Sequence, residues 1–252
     1  MTVPAYLPYY IFAGGVGIIT AILLGLRLAL SKANWPQPDR GATLRTASLI
    51  LIGWFLVAIA LGGLGVYQAS SDRLPTIQYG ILLPILIGGA LLWRSSTLGR
   101  IIDAVPLPWL VGVQLYRALG LMFLILYANN KLPALFAWPA GIGDILVGVL
   151  APLVALIYAR APREGASLVL GWNVLGILDL VVAVSTGFIT APSPFLPMIA
   201  QPTSELMSVL PLVVIPTFAV PISILLHIAT LMKLRRTAAD SICPAEAATA
   251  HA

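Results

Sequence analysis

Four ionisable residues interrupt long apolar stretches of this sequence: Arg117, Asp144, Asp179 and His227. Inside a membrane-spanning helix such a residue costs roughly 2.5–3.5 kcal/mol on insertion scales, so these residues are few and are often functional. A guanidinium can neutralise a carboxylate through charge-assisted hydrogen bonds. One arginine neutralises only one of two carboxylates, and the second could then hold a proton. The residue types therefore favour a site for an ion, a proton or a small polar ligand.

The composition is that of a membrane protein. Of the 252 residues, 60% are hydrophobic and only 9% are charged, and the mean hydropathy is +0.99. Because a soluble domain carries about a quarter charged residues, a soluble enzyme, a disordered chain and a collagen-like fibre are all disfavoured. The single cysteine, Cys243, excludes an intramolecular disulfide.

The helices that must position the ionisable residues follow from hydropathy. A spanning helix needs about 20 mainly apolar residues. Seven segments meet or approach that length: Pro8–Leu30, Thr46–Tyr67, Thr76–Trp93, Val105–Ala128, Ala134–Ala159, Ser167–Thr190 and Ser204–Met232. The sequence thus predicts an all-α, polytopic seven-helix bundle that forms one membrane domain over residues 1–236. Residues 237–252 are rich in alanine and are predicted to be a disordered cytoplasmic tail.

The basic residues predict the orientation of this bundle. If the N-terminus lies outside, the outer side receives only Arg73 and Lys131, and Arg117 lies within a helix. The other 11 of the 14 basic residues fall on the cytoplasmic side, namely Arg27, Lys32, Arg40, Arg45, Arg94, Arg100, Arg160, Arg163, Lys233, Arg235 and Arg236. The positive-inside rule therefore predicts the N-terminus out and the C-terminus in.

The same distribution bears on location and partners. The basic residues that give the net charge of +5 are placed where membrane orientation requires them, so no nucleic-acid partner is expected. We expect an integral protein of the bacterial cytoplasmic (inner) membrane, whose partners are the lipid bilayer and a small-molecule or ion substrate. The sequence leaves the cofactor and the oligomeric state open.

Three of the ionisable residues are predicted to lie at similar depth. Arg117 and Asp179 fall at the centres of the fourth and sixth segments, and Asp144 lies about 4 Å to the outer side of the fifth segment's centre. Small residues surround both aspartates at helical spacing, which is typical of faces that pack against other helices. We expect Arg117 to pair with one aspartate, and Asp179 is the candidate because it matches Arg117 in depth. The alternative is that such an ion pair serves only helix packing.

Four further residues are candidates for a ligand- or proton-binding role. Gln114 shares the helix face of Arg117, and Trp172 and Asn173 begin the polar face of the sixth segment. Trp172 could instead be an interfacial anchor. His227 is predicted about 13 Å to the cytoplasmic side of the seventh segment's centre, where it could relay a proton, bind a ligand or simply lie at the interface.

Prolines mark two regions near the seventh segment. The uncharged connection Ala191–Thr203 contains four of them and cannot be helical throughout, which predicts a loop on the bilayer surface or a lid over an outward-facing cavity. Within the segment, Pro211, Pro216 and Pro221 each remove a backbone donor and predict a distorted helix.

Several classes of protein are disfavoured by what the sequence lacks. No lysine falls within a predicted span, which argues against covalent retinal, and two histidines with one cysteine give weak support for haem or a metal site. The span number, length and orientation resemble those of small sugar transporters of the three-plus-one-plus-three kind. The paired Pro-Gln signature that those transporters carry within their helices is missing here. The one Pro-Gln of this sequence, Pro36-Gln37, lies in the predicted first loop.

The leading hypothesis is a small transporter or proton-linked carrier for an ion or small polar molecule, with its site among the fourth to seventh helices. In it, Arg117 would hold a polar or anionic group or pair with an aspartate, and one aspartate would exchange a proton. The alternatives are an intramembrane enzyme acting on a lipid-soluble substrate, and a non-catalytic membrane sensor or structural subunit.

Overall fold

A computed structural model describes residues 4–33, 35–72, 76–194 and 199–242. These residues form helices and connecting turns, and no β-strand occurs among them. The α-helices are α1 (Leu7–Lys32), α2 (Gln37–Gly63), α3 (Ile77–Arg94), α4 (Ser96–Ala104), α5 (Leu107–Gly112), α6 (Leu121–Ala128), α7 (Ala134–Arg160), α8 (Pro162–Ile189) and α9 (Val220–Ile242). A 3-10 helix, Val113–Gly120, joins α5 to α6, a second one covers Glu205–Ser208, and a π-helix, Ile215–Ala219, precedes α9.

The prediction of seven long apolar helices is confirmed in the described part of the chain. Helices α1, α2, α3, α7 and α8, together with the continuous rods Leu107–Ala128 and Ile215–Thr237, are each long and apolar enough to cross a membrane. Helices α2 and α8 begin earlier than predicted because each has a proline in its first turn. A proline there has its backbone already in a helical conformation and loses no hydrogen bond.

The predicted start of the seventh helix, Ser204, is wrong. A 3-10 turn and irregular chain occupy residues 205–214, and the long helical rod begins only at Ile215. The physical reason is the missing backbone donors of Pro211 and Pro216, which interrupt an α-helix at that point. The midpoint of the rod Ile215–Thr237 is residue 226, so His227 lies at its centre rather than toward one end.

Two other predictions fall partly on residues outside the description. The predicted tail began after Arg236, but helix α9 continues to Ile242. The rest of the predicted tail, residues 243–252, lies outside the described part of the chain. In the connection Ala191–Thr203, residues 195–198 lie outside it too, as does Arg73 among the predicted outer charges.

The short helix α4, which hydropathy did not predict, connects α3 to the rod Leu107–Ala128. Ser95 caps its N-terminus, since its Oγ accepts a hydrogen bond from the Leu98 N–H at 3.3 Å. At its C-terminus, Lys233 Nζ donates to the carbonyls of Ile102 and Asp103 at 2.8 and 2.9 Å. A cation at this position stabilises the negative end of the helix dipole. These contacts fasten α4 to α9.

Most of the described basic residues lie at one end of the bundle, which we call the basic end, whereas Lys131 precedes α7 at the other end and Arg117 lies inside. The basic end contains the C-terminal ends of α3, α7 and α9 and the start of α8, marked by Arg94, Arg160, Arg163 and Arg235. The opposite end is formed by the end of α2, the starts of α3 and α7, and the end of α8.

Apolar side chains form both the interior and the exterior of the bundle. Inside, the rings of Trp54 and Phe55 pack on Phe218 at 5.2 and 5.0 Å between centroids. Outside, large apolar side chains such as Leu49, Leu86 and Trp93 are mostly exposed. Helix α7 lies along both α8 and the rod Leu107–Ala128, and the ionisable residues lie between these three elements and α9.

Candidate functional site

Arg117 is the centre of a buried ion cluster, which we define as Arg117, Asp144, Asp179 and His227. Its Nε donates to Oδ1 of Asp144 at 2.8 Å, and its Nη2 donates to Oδ2 of Asp179. Its Nη1 donates to the Gly176 carbonyl at 3.2 Å and lies 3.2 Å from Nε2 of His227. The expected proximity of the arginine and the aspartates is therefore observed, although both aspartates pair with Arg117 rather than one.

The hydrogen bonds around His227 determine its tautomer. A guanidinium only donates, so Nε2 of His227 accepts from Arg117. The remaining ring nitrogen, Nδ1, then carries the proton and donates to Oδ1 of Asn173 at 2.9 Å. Asn173 in turn donates through Nδ2 to the Val169 carbonyl at 2.8 Å. This chain of bonds holds His227 neutral and fixes its ring beside the arginine.

Trp172 belongs to the same interior layer. Its Nε1 donates to the Val147 carbonyl at 3.0 Å, and its ring centroid lies 5.0 Å from that of His227. Both residues are buried. Both side chains thus pack inside the bundle and do not project from its surface, as an interfacial anchor or an interfacial histidine would. Their polar atoms find partners inside the bundle, which removes the need to reach water.

The 3-10 geometry of residues 113–120 places three residues on one face. With three residues per turn, Gln114, Arg117 and Gly120 lie above one another, and all three are buried. Gln114 Nε2 donates to the Ser223 carbonyl at 3.1 Å, while its Oε1 has no partner among the described residues. Gln114 is thus a neighbour of the ion cluster that ties this face to α9.

Three glycines make room for the charged side chains. A Cβ on Gly120 would overlap the carboxyl group of Asp144, and one on Gly143 would overlap that of Asp179. A Cβ on Gly176 would overlap the imidazole of His227. The close approach of the helices, and with it the pairing of both aspartates with one arginine, depends on these missing side chains.

A cavity of about 400 Å³ adjoins the ion cluster at Asp144. Its walls come from the end of the bundle opposite the basic end: the starts of α3 and α7, the end of α8, and the residues around the π-helix. A smaller cavity of about 80 Å³ beside α1 and the 3-10 helix is lined by both Arg117 and Asp144. Asp144 thus borders two spaces, one large and mainly apolar and one small.

Polar atoms on the larger cavity's wall are few. Gln78 has a buried Oε1 that lacks a hydrogen-bond partner among the described residues. Tyr67 contributes a phenol, and partial burial raises the pKa of its hydroxyl above the ordinary value, so the group is neutral near pH 7. Together with serine hydroxyls and Asp144, these groups offer a ligand polar contacts within an apolar space.

A comparison with protein families gives a match over most of this site. The family model described as "Domain of unknown function (DUF8737)" matches residues 74–235, which is more than half of the chain. The chain belongs to the DUF8737 family. The segment matched by DUF8737 contains every member of the ion cluster, and it leaves α1 and α2 outside. No curated protein and no solved structure matches the chain.

The residues predicted from the sequence lie close together in this DUF8737 protein. The cluster itself consists of Arg117, Asp144, Asp179 and His227. Asn173 hydrogen-bonds to His227, the ring of Trp172 packs near that of His227, and Gln114 bonds to α9, the helix that carries His227. Sequence reasoning missed Tyr116, whose hydroxyl lies 2.7 Å from Oγ of Ser223, and Gln78 on the cavity wall. Gln78 could have been noticed as a polar residue inside the third apolar segment, whereas nothing in the sequence indicated the cavity.

Proposed function

We propose that this DUF8737 protein is an integral membrane protein of the bacterial cytoplasmic membrane, with its N-terminus outside and its C-terminus in the cytoplasm. The apolar exterior supports insertion in lipid, because exposed side chains such as Leu49, Leu86 and Trp93 would be unfavourable in water. The basic end supports the orientation, since positive charges remain preferentially on the cytoplasmic side.

We further propose that the protein is a small proton-linked carrier for a small molecule or ion, which binds at the junction of the larger cavity and the ion cluster. One observation carries this proposal: Asp144 borders the cavity and at the same time pairs with Arg117. A purely structural ion pair needs no adjoining cavity of about 400 Å³. A carrier needs both, a space for the substrate and a group that responds to it.

The charges of the cluster support proton linkage. Arg117 contributes one positive charge, Asp144 and Asp179 contribute two negative charges when ionised, and His227 is neutral. The fully ionised cluster therefore has one excess negative charge on side chains that are at most 17% exposed. An unbalanced buried charge is costly, so the cluster is expected to take up either one proton or one cation.

The carrier proposal is tested with the purified protein in liposomes that contain a pH-sensitive dye. Three probes of different charge are added outside: benzyltrimethylammonium, benzenesulfonate and myo-inositol. At least one probe is expected to cause protein-dependent proton movement, which Asp144→Asn abolishes and Asp103→Asn preserves. Asp103 is a suitable control because it is a largely exposed carboxylate paired with Arg236, away from the cluster. No proton movement with any probe would overturn the carrier proposal.

A further inference from the structure

We propose that the larger cavity binds a hydrophobic monocation, such as an aryl-alkyl ammonium, with its charge at Asp144 and its apolar body against the cavity wall. The exchange step of this inference, in which the cation replaces one proton, depends on the proposed carrier function. The binding step stands on the geometry of the site.

The charge on the cavity wall selects for a cation. Asp144 is the one charged side chain among the described residues that line the larger cavity; no lysine, arginine or histidine lines it. A cation that replaces the proton of Asp144 gains an opposite charge there, whereas an anion finds no positive side chain among the described residues of the same wall. In a low-dielectric cavity this difference is large, because charge interactions there are weakly screened.

Arg117 is not available to hold an anion. Its side chain is only 2% exposed, and each of its three guanidinium nitrogens already has a partner in the cluster. It borders the smaller cavity and not the larger one. An anion would have to displace a carboxylate from Arg117, so the earlier expectation that Arg117 holds an anionic group is not the arrangement we propose.

Asp144 is the carboxylate placed to meet the cation. Its side chain is 17% exposed, compared with 7% for Asp179. Arg117 contacts Oδ1 of Asp144, and Oδ2 has no hydrogen-bond donor among the described residues. One oxygen therefore remains for a ligand ammonium while the other keeps the ion pair that orients the carboxylate.

The remaining wall suits an aromatic or alkyl ammonium. Phe123 and Phe136 line the cavity in an edge-to-face pair with centroids 5.4 Å apart, and Phe188 and Tyr67 lie on the same wall. Aromatic faces attract cations and provide apolar contact area. Oε1 of Gln78, which lacks a hydrogen-bond partner among the described residues, offers a second acceptor to a ligand that carries an N–H. The wall thus presents acceptors and aromatic rings.

The exchange step balances in charge and protons. Before binding, the cluster holds one proton on the Asp144 carboxyl group and is neutral. The entering ammonium binds the carboxylate as this proton leaves to water, and the cluster is neutral again. No covalent bond to the ligand forms. Cation and proton compete for one oxygen of one residue, so the two cannot bind together.

Binding is tested by calorimetry on the purified protein with three molecules of one shape and different charge: 4-phenylbutylamine, 4-phenylbutanol and 4-phenylbutyrate. The amine is expected to bind at least tenfold more tightly than the alcohol, and the butyrate to bind most weakly. Titrations in buffers of different ionisation enthalpy should show release of close to one proton per amine. Equal affinity for the three molecules, or tighter binding of the butyrate, would overturn the inference.

Variants separate charge recognition from fit. Asp144→Asn is expected to lower amine affinity at least tenfold and to leave alcohol affinity nearly unchanged, while Asp103→Asn changes neither. If Asp144→Asn does not fold, Ala183→Phe tests the same site without altering charge, because Ala183 lines the cavity. It should abolish amine binding, whereas Val181→Phe on the exposed face of the same helix should not. Unchanged binding in Ala183→Phe would place the amine elsewhere and overturn the inference.

The liposome measurement distinguishes this inference from the carrier proposal. Proton movement driven by benzyltrimethylammonium alone supports both. Movement driven only by benzenesulfonate or myo-inositol keeps the carrier proposal and overturns the cation inference. Charge-selective amine binding without proton movement for any of the three probes keeps the cation site and overturns the carrier proposal.

Discussion

Arg117 Nη1 lies 3.2 Å from Nε2 of His227, and because a guanidinium cannot accept a hydrogen bond, the imidazole must be the acceptor. This contact, together with the 2.9 Å bond from Nδ1 to Asn173, makes His227 a neutral part of the ion cluster. The charge available for exchange then resides on the two carboxylates alone.

The tautomer of His227 can be measured directly. The chain has two histidines, so His251→Ala leaves His227 as the one labelled imidazole in nitrogen NMR. We expect a neutral ring with the proton on Nδ1 at neutral pH. Asn173→Leu removes the acceptor for this proton and should change the Nδ1 signal. A doubly protonated ring in the wild-type chain would contradict the hydrogen-bond assignment.

The pairing of both aspartates with Arg117 changes the stability expected of their variants. Asp144→Asn or Asp179→Asn alone leaves one carboxylate on the arginine, so each should fold and lose little stability. The double variant leaves an unpaired buried cation, which should lower the free energy of unfolding by about 3–5 kcal/mol. Adding Arg117→Gln to the double variant should recover much of that loss. Denaturant titration in detergent measures the free energy of unfolding of each variant. A double variant as stable as either single variant would contradict the expected ranking.

Gly176 and Gly171 form a matched pair on α8. A Cβ on Gly176 would overlap His227, whereas a Cβ on Gly171 meets no atom within 4 Å. We expect Gly176→Ala to destabilise the protein by roughly 1–3 kcal/mol, as overpacking does. Gly171→Ala should be neutral or stabilise by up to about 1 kcal/mol, because alanine favours helix. Thermal unfolding of the two variants gives the comparison, and equal effects would show that the contact at Gly176 is unimportant.

The proposed orientation is testable with the chain's single cysteine. In intact cells an impermeant maleimide should leave Cys243 unlabelled, and it should label Cys243 once the membrane is opened, since the C-terminus is proposed to be cytoplasmic. On a Cys243→Ser background, Lys131→Cys should be labelled from outside. Labelling of Cys243 in intact cells would remove the proposed seven-span topology.

The sequence by itself determined the number of helices and the side of the helix on which each charge lies. Both are local properties: the length of an apolar run specifies a possible span, and the small residues spaced around Asp144 and Asp179 mark a packed face. The sequence was also sufficient to predict that Arg117, Asp144 and Asp179 lie at similar depth, because the rise per residue of a helix is constant.

Only the tertiary structure decided the depth of His227, the sharing of Arg117 and the existence of the cavity. Hydropathy could not detect that residues 205–214 lie outside the long helix, since most of them are apolar too, and the error displaced His227 from the centre of its helix. Whether an arginine contacts one carboxylate or two depends on how closely the helices approach. The missing side chains of Gly120 and Gly143 leave room for the two carboxylates, and that close approach exists only in the packed bundle. The cavity lies between the ends of helices far apart in sequence, so no local pattern encodes it.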